Sequence, residues 1–184
     1  KTKSKFTSVF PDLLNFNMKL KVVYPFSEII FLDKNFRNIS KNYLVINSRH
    51  TPTKNINKIL IEYLNVIKER KISIYITHEG INSEELRKEF LEYSEYISFT
   101  GYLEIDDYQK LLSESLGVLF PSLDEDFGIA ALDAYNLNVP ILLYKNCGFS
   151  EILDNFYDFF IDDKDPNEII DLLLQYRNEK INIY

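Results

Sequence analysis

Short apolar runs alternate with helical patterns along most of the chain, and this alternation constrains the fold more than any other feature. Apolar runs of strand length occur at 20–24, 43–47, 72–77, 96–100, 118–120, 139–144 and 156–161. Helical patterns occur at 55–70, 83–93, 106–114, 127–136 and 166–177. Nearly continuous apolar strands that alternate with helices form parallel sheets covered on both faces. The sequence therefore predicts an α/β fold, a Rossmann-like doubly wound parallel sheet.

The loop after the predicted strand 118–120 is the first candidate site, because ligands of such sheets bind beyond the carboxyl ends of the strands. It carries Glu125 and leads into a helix that we expect to begin near Phe127. The unpaired N–H groups and positive dipole end of a helix start suit a phosphate. Asp133 follows eight residues after Glu125. At a helical rise of about 1.5 Å this is about 12 Å, which suits two hydroxyl-bearing ends of one long ligand rather than a shared metal ion.

The loop after the predicted strand 43–47 is the second candidate site. It carries two cations, Arg49 and Lys54, on either side of Pro52. An Arg fork and a Lys point charge placed in this way can neutralise a diphosphate and stabilise the charge that develops on it as a group departs. The alternative is that both are solvated loop residues.

Residues 120–151 resemble the signature of the retaining glycosyltransferases of GT-B architecture, above all glycosyltransferase family 4, in which seven residues separate two acidic ones. The matching positions are Pro121, Ser122, Glu125, Phe127, Gly128, Leu132, Asp133, Ala134, Pro140, Gly148 and Glu151. Arg49 and Lys54, with Pro52 between them, also match a basic loop of the family. The resemblance implies a C-terminal donor-binding domain, which is one half of a GT-B fold. It assigns residues 1–17 to a linker remnant from a missing N-terminal acceptor-binding domain, and residues 18–184 to the nucleotide-sugar-binding domain.

The resemblance also implies a reaction and residue roles. The reaction moves a sugar from a UDP or GDP sugar to an acceptor hydroxyl with retention and without a protein nucleophile, and we expect the isolated domain to be inactive. The implied catalytic residues are Arg49 and Lys54, which would hold the diphosphate, and Glu125, which would contact hydroxyls of the donor sugar. Asp133 would accept hydrogen bonds from the ribose. The other implied donor-binding residues are Asp126, Phe127, Gly128 and Ile129 at the phosphates, and Gly80, Gly101 and Tyr102 beside the base.

The chain differs from the family pattern at several positions. Asp126 stands where Gly is usual, so we expect repulsion between its carboxylate and a donor phosphate. Asp133 replaces the usual Glu and is shorter by one methylene, about 1.5 Å. Cys147, Asn138 and His78 also stand where Gly is usual.

Composition and residue spacing limit the other classes of function. A formal net charge of -7 disfavours a nucleic-acid partner. No apolar run approaches the length of a transmembrane helix, and the single Cys147 favours a reducing compartment. We therefore expect a cytoplasmic protein, with peripheral membrane attachment through the missing domain left open. His50 and His78 have no metal partner at ligand spacing, so we interpret both as ordinary loop residues.

We expect no metal or other cofactor, because Arg49 and Lys54 supply positive charge. The triplet 124–126 superficially resembles the metal-binding triplet of the GT-A transferases, which is the alternative. Two other functions stay open: a nonenzymatic nucleotide-sugar-binding module, and a GT-B nucleotide-sugar 2-epimerase, which would need its own acid and base residues.

Overall fold

Five parallel strands form one sheet in the structure, a computed structural model that describes residues 25, 27, 29, 41–123, 125–153 and 157–179. The strands are β1 (Tyr43–Asn47), β2 (Ser73–Thr77), β3 (Ile97–Gly101), β4 (Gly117–Phe120) and β5 (Ile141–Leu143). Their order across the sheet is β3-β2-β1-β4-β5, and every neighbouring pair is parallel. The predicted α/β fold with a parallel sheet is confirmed.

Helices connect the strands in the described part of the chain. The α-helices are α1 (Ile56–Arg70), α2 (Ser83–Glu89), α3 (Ile105–Ser113), α4 (Ile129–Asn136) and α5 (Pro166–Glu179). Short 3-10 turns occupy Pro52–Lys54, Leu91–Tyr93 and Gly148–Glu151. The start of α5 has a side-chain cap, since Asp165 Oδ1 accepts from the N–H groups of Asn167 at 2.7 Å and Glu168 at 3.1 Å. None of the helices in the described residues is long and apolar enough to cross a membrane.

The core is centred on β1, in which all five side chains are buried. A central strand covered on both faces does not alternate apolar and polar residues, so β1 is apolar from Tyr43 to Ile46 and only its last residue, Asn47, is polar. Helix α1 buries a stripe of residues at helical spacing, among them Ile59, Tyr63 and Ile67. Each such side chain contributes about 1.5–3 kcal/mol when it leaves water. The packed strands thus give the loops at their carboxyl ends a rigid base.

Several element boundaries differ from the predictions. The pattern 83–93 forms α2 and then a separate 3-10 turn, Leu91–Tyr93. Of the predicted strand 156–161, the described residues 157–161 form an isolated bridge, between Leu143 and Phe160, and no strand. The helix expected near Phe127 begins at Ile129. The predicted strand 20–24 and the predicted linker 1–17 lie outside the described residues.

The direction of chain progression across the sheet reverses beside β1. The connection from β1 leads to β2 on one side, whereas β4 pairs with β1 on the other side. The loops after β1 and β4 therefore diverge, and they leave a crevice at the topological switch point where α/β sheets bind ligands. The loop after β1 carries Arg49 and Lys54, and the loop after β4 carries Glu125.

Candidate functional site

A cavity of about 470 Å³ lies in this crevice at the carboxyl ends of β1 and β4. Seven of the predicted site residues line it: Arg49, Lys54, Glu125, Asp126, Phe127, Gly128 and Ile129. The structure thus brings together two loops that are separated by about seventy residues of sequence. The cavity combines two fixed cations with the amino end of α4, which is a suitable environment for a phosphate group.

Lys54 and Glu125 form an ion pair across the cavity. Lys54 Nζ donates to Glu125 Oε2, and each side chain keeps about one fifth of its surface exposed, 19% for Lys54 and 20% for Glu125. The Pro52–Lys54 turn and the left-handed Asn55 (φ 55°) place Lys54 on this loop ahead of α1. The predicted phosphate cation therefore already has a carboxylate partner, so a phosphate would compete with Glu125 for Lys54.

Gly128 sets the start of α4. Its φ of 95° lies in the left-handed region, and a Cβ there would lie 3.0 Å from the Phe120 ring. Its carbonyl accepts from the N–H groups of Ala131 at 3.0 Å and Leu132 at 3.3 Å. Because this turn precedes the helix, Glu125 lies in the loop before α4, whereas Asp133 lies within it.

A second loop supports the segment that carries Glu125. The Gly148 N–H donates to the Glu125 carbonyl at 3.0 Å, and a Cβ on Gly148 would lie 1.7 Å from the Asp126 carbonyl oxygen. The Asn146 amide donates to the Leu123 carbonyl at 2.8 Å. Only glycine permits this approach of two backbones. Gly148 therefore fixes the wall of the cavity.

Asp133 is not among the residues that line the cavity, and it bonds to protein hydroxyls. Its Oδ2 accepts from the Tyr108 hydroxyl at 2.9 Å, and its Oδ1 accepts from the Ser27 hydroxyl at 2.5 Å. Tyr108 Oη in turn accepts from the Asn47 amide. Burial, and secondarily the negative charge of Asp133, raises the pKa of Tyr108. Tyr108 therefore remains a protonated donor to the carboxylate.

The residues predicted beside the base lie around the loop after β2. Gly80 packs on the His50 backbone, where a Cβ would lie 2.3 Å from the His50 carbonyl oxygen. Gly101 has a φ of 69°, and Tyr102 is 70% exposed. The Tyr102 and His78 rings lie with centroids 5.4 Å apart and an interplanar angle of 35°. Tyr102 thus presents an exposed ring, whereas Gly80 has a packing role.

Both histidines, which the sequence analysis interpreted as ordinary loop residues, have hydrogen-bond partners within the protein. His50 is fully buried, and its ring nitrogens lie 2.9 Å from Ser83 Oγ and 3.0 Å from the Thr77 carbonyl oxygen. His78 lines the cavity with a φ of 67°, and its Nδ1 lies 3.0 Å from Thr77 Oγ1. Burial is the main cause that lowers the pKa of each imidazole.

Sequence reasoning missed six residues that line the cavity: Pro25, Asn47, Ser48, His78, Phe120 and Ala130. Asn47, Ser48 and His78 lie at or just after the carboxyl ends of β1 and β2. Polar residues at those positions were a usable signal, because such ends meet at one edge of a parallel sheet. Ser48 is 6% exposed, and its Oγ has no hydrogen-bond partner in the part of the chain that the structure describes.

The described residues contain no group of three or more His, Cys, Asp or Glu side chains that could hold a metal ion. Asp124, the first member of the acidic triplet, is outside the described residues. The cations Arg49 and Lys54 are therefore the positive groups that the described part of the cavity offers to an anion.

A comparison with protein families matches residues 29–181 to the family described as Glycosyl transferases group 1. The chain belongs to this family. Its α/β fold matches solved domains of GT-B glycosyltransferases. The membership of a glycosyltransferase family and the GT-B-type domain fold that the sequence predicted are thus confirmed.

Individual relatives agree with this assignment. The O-antigen biosynthesis glycosyltransferase WclY of Escherichia coli is 25% identical over 118 residues, which are 63% of this chain and 33% of WclY. A variant of S. aureus TarM, solved with Fondaparinux, alpha-GlcNAc-glycerol and UDP, matches with a TM-score of 0.68 and 22% identity over 91% of this chain and 35% of TarM. The pneumococcal O-GlcNAc transferase GtfA, solved with UDP and GlcNAc, matches with a TM-score of 0.68 and 18% identity over 97% of this chain and 38% of GtfA. The chain spans about a third of the length of these proteins.

Proposed function

We propose that this chain is the donor-binding domain of a retaining glycosyltransferase, which moves a sugar from a nucleoside-diphosphate sugar to an acceptor hydroxyl. The observation that carries the proposal is the cavity that Arg49, Lys54 and the amino end of α4 line together at the topological switch point. A diphosphate is a compact, highly charged group that these features recognise in combination. The family membership supports the reaction class.

Arg49 and Lys54 hold the donor diphosphate in this proposal. As the bond between sugar and diphosphate breaks, negative charge grows on the departing phosphate, and two fixed cations stabilise it more than they stabilise the intact donor. The backbone N–H groups at the start of α4, around Gly128 and Ile129, add donors at the same place. The departing phosphate then accepts the acceptor proton, so retention needs no protein nucleophile.

Glu125 and Asp133 bind the two hydroxyl-bearing parts of the donor. Glu125 exchanges its Lys54 partner for hydroxyls of the donor sugar, while Lys54 turns to the diphosphate. Asp133 accepts from the ribose, and the exposed Tyr102 ring flanks the base. The matched proteins carry transferase names, which does not favour an epimerase or a nonenzymatic module.

Thermal unfolding with added UDP, GDP and their sugars tests this proposal, because a ligand that binds only the folded state raises its stability. UDP is the first nucleotide to test, since TarM and GtfA were solved with it. We expect Arg49→Ala and Lys54→Ala each to weaken binding about tenfold or more, the size of a lost charge-assisted hydrogen bond. Lys58→Ala is the matched control, since Lys58 is 60% exposed on α1 and pairs with Glu62.

Two results would contradict the proposal. Unchanged nucleotide shifts in both Arg49→Ala and Lys54→Ala would remove the cationic clamp from the site. Binding that appears only with Mg²⁺ or Mn²⁺ would replace it with a metal site. Transfer itself is measured on the longest native chain, where absence of any transfer despite nucleotide binding would favour a nonenzymatic module.

A further inference from the structure

A chain of hydrogen bonds crosses the carboxyl edge of the sheet from the cavity to Asp133. His78 Nδ1 lies 3.0 Å from Thr77 Oγ1, and Thr77 Oγ1 donates to Asn47 Oδ1 at 2.9 Å. The Asn47 amide donates to Tyr108 Oη, and the Tyr108 hydroxyl donates to Asp133 Oδ2 at 2.9 Å. We call these five residues the hydroxyl relay. Two of them, His78 and Asn47, also line the cavity.

All bonds of the relay run in one direction, towards Asp133. Thr77 Oγ1 lies nearer to Asn47 Oδ1, at 2.9 Å, than to the Ile46 carbonyl oxygen, at 3.5 Å, so we assign its only proton to Asn47. The bond to His78 is then donated by Nδ1–H. Tyr108 likewise gives its single proton to Asp133 while it accepts from Asn47. Successive donors that point the same way polarise one another, and here the series ends on a carboxylate.

The three central residues of the relay are buried, and the relay joins four elements. Asn47 in β1 is 2% exposed, Thr77 at the end of β2 is 1% exposed, and Tyr108 in α3 is 9% exposed. Asp133 belongs to α4. Because a buried hydroxyl that loses its acceptor has a large desolvation cost, the bond between Tyr108 and Asp133 restricts the carboxylate to one orientation.

We propose that Tyr108 is a positioning residue that orients Asp133 for recognition of the donor ribose. This inference rests on the proposed function, in which Asp133 accepts from ribose hydroxyls. The Asp carboxylate is one methylene shorter than Glu, so its reach depends on the rotamer that the protein selects. Tyr108 fixes the Asp133 rotamer through its bond to Oδ2, and the Ser27 hydroxyl donates to Oδ1 at 2.5 Å. A carboxylate accepts about four hydrogen bonds, so these two protein hydroxyls do not by themselves exclude a ribose hydroxyl.

The test is the preference of the chain for ribose over deoxyribose, measured by calorimetry as the ratio of dissociation constants for dUDP and UDP, and for dGDP and GDP. We expect a preference of about tenfold or more, the size of a hydrogen bond to a charged group. Tyr108→Phe should lower it to about threefold or less. A merely structural role of Tyr108 would lower stability without changing this ratio.

Tyr43→Phe is the matched control. Tyr43 is also a buried residue and its hydroxyl also anchors α3, since it donates to the Leu111 carbonyl at 2.8 Å, and this bond is not part of the relay. It should keep the ribose preference. Should Tyr108→Phe be recovered only unfolded, Thr77→Val removes the donor to Asn47 and is expected to reduce the same ratio.

The possible outcomes separate this inference from the proposed function. If the unchanged chain binds neither UDP nor GDP, the proposed function fails. If it binds them without a ribose preference, or if Tyr108→Phe keeps the preference, the positioning role is wrong while the cationic clamp stands. Loss of the preference in Tyr108→Phe with retention in Tyr43→Phe supports the inference.

Discussion

Lys54 Nζ and Glu125 Oε2 form an ion pair that joins the loop after β1 to the loop after β4 across the cavity. The carboxylate occupies the place that a phosphate oxygen takes in the proposed complex. A nucleoside diphosphate must therefore compete with Glu125 for Lys54.

We expect Glu125→Gln to strengthen binding of pyrophosphate and UDP by about two- to tenfold, a typical size for the coupling of contacting charges. The reason is that the neutral amide competes less well for Lys54. The measurement is calorimetric titration of each ligand. Glu62→Gln, which removes the partner of the exposed Lys58, is the control and should change neither affinity. Weaker pyrophosphate binding in Glu125→Gln would show that the two groups do not compete.

Gly148→Ala should disrupt the site as well as the fold. The added Cβ would meet the Asp126 carbonyl oxygen, which is backbone and cannot move without displacing Glu125. We expect a loss of about 1–3 kcal/mol in the free energy of unfolding, together with loss of the UDP-induced thermal shift. Gly117→Ala is the comparison, because its Cβ would first meet the Leu142 side chain, 2.9 Å away at the far end of β4. Gly117→Ala should lower stability but keep the UDP-induced thermal shift. If Gly148→Ala also keeps that shift, Gly148 does not fix the cavity wall.

The two histidines should make stability depend on pH between about 7 and 5. Burial lowers both imidazole pKa values from 6.5, so the unfolded chain takes up protons before the folded one. The stability that the two neutral imidazoles contribute is fully present above pH 6.5. It is lost as the pH falls through the lowered pKa values of the folded state. Carboxylates contribute to this loss only at lower pH, since the Glu79 pKa falls from 4.5 to about 2 beside Arg87.

Urea midpoints at pH 7.5 and 5.5 measure this effect, and we expect the lower value at pH 5.5. In His78→Asn the difference should be smaller, because Asn accepts the positive φ and does not titrate in this range. A midpoint that rises on acidification would contradict the assignment of neutral imidazoles.

Asp126→Asn should strengthen nucleotide binding. Asp126 is exposed and lines the cavity, so its carboxylate repels a bound diphosphate. We expect a gain of about twofold to fivefold at low ionic strength that shrinks at 0.5 M salt, where charges separated by more than about 4 Å are screened. Asp106→Asn, an equal charge change on the exposed start of α3, is the control. An affinity gain that is the same in both variants would reflect net charge alone.

The sequence predicted the strands well because buried parallel strands leave continuous apolar runs. It placed the helix after β4 two residues early, because the left-handed turn at Gly128 precedes the helix and the apolar pattern does not encode that turn. The pattern 156–161 is apolar, but nothing in an apolar run distinguishes a full strand from the single bridge at Phe160.

Sequence reasoning selected seven residues that line one cavity, but it predicted none of the contacts between them. Arg49, Lys54 and Glu125 were chosen as groups for a ligand, and pattern matching gave no sign that Lys54 and Glu125 contact each other. The partners of Asp133 were also unpredictable, since Tyr108 and Ser27 lie 25 and 106 residues away in sequence. Contacts of this kind depend on packing between elements, which local patterns do not encode.

The close packing of Gly80 on the His50 backbone has a consequence for protein engineering. The Asn82 N–H also donates to the His50 carbonyl at 3.0 Å, so the segments after β1 and β2 form one interlocked unit. Exchange of either segment alone with that of another member of the family would disrupt the packing between the two segments. Chimeras intended to alter sugar or nucleotide choice should therefore transplant residues 48–55 and 78–83 together.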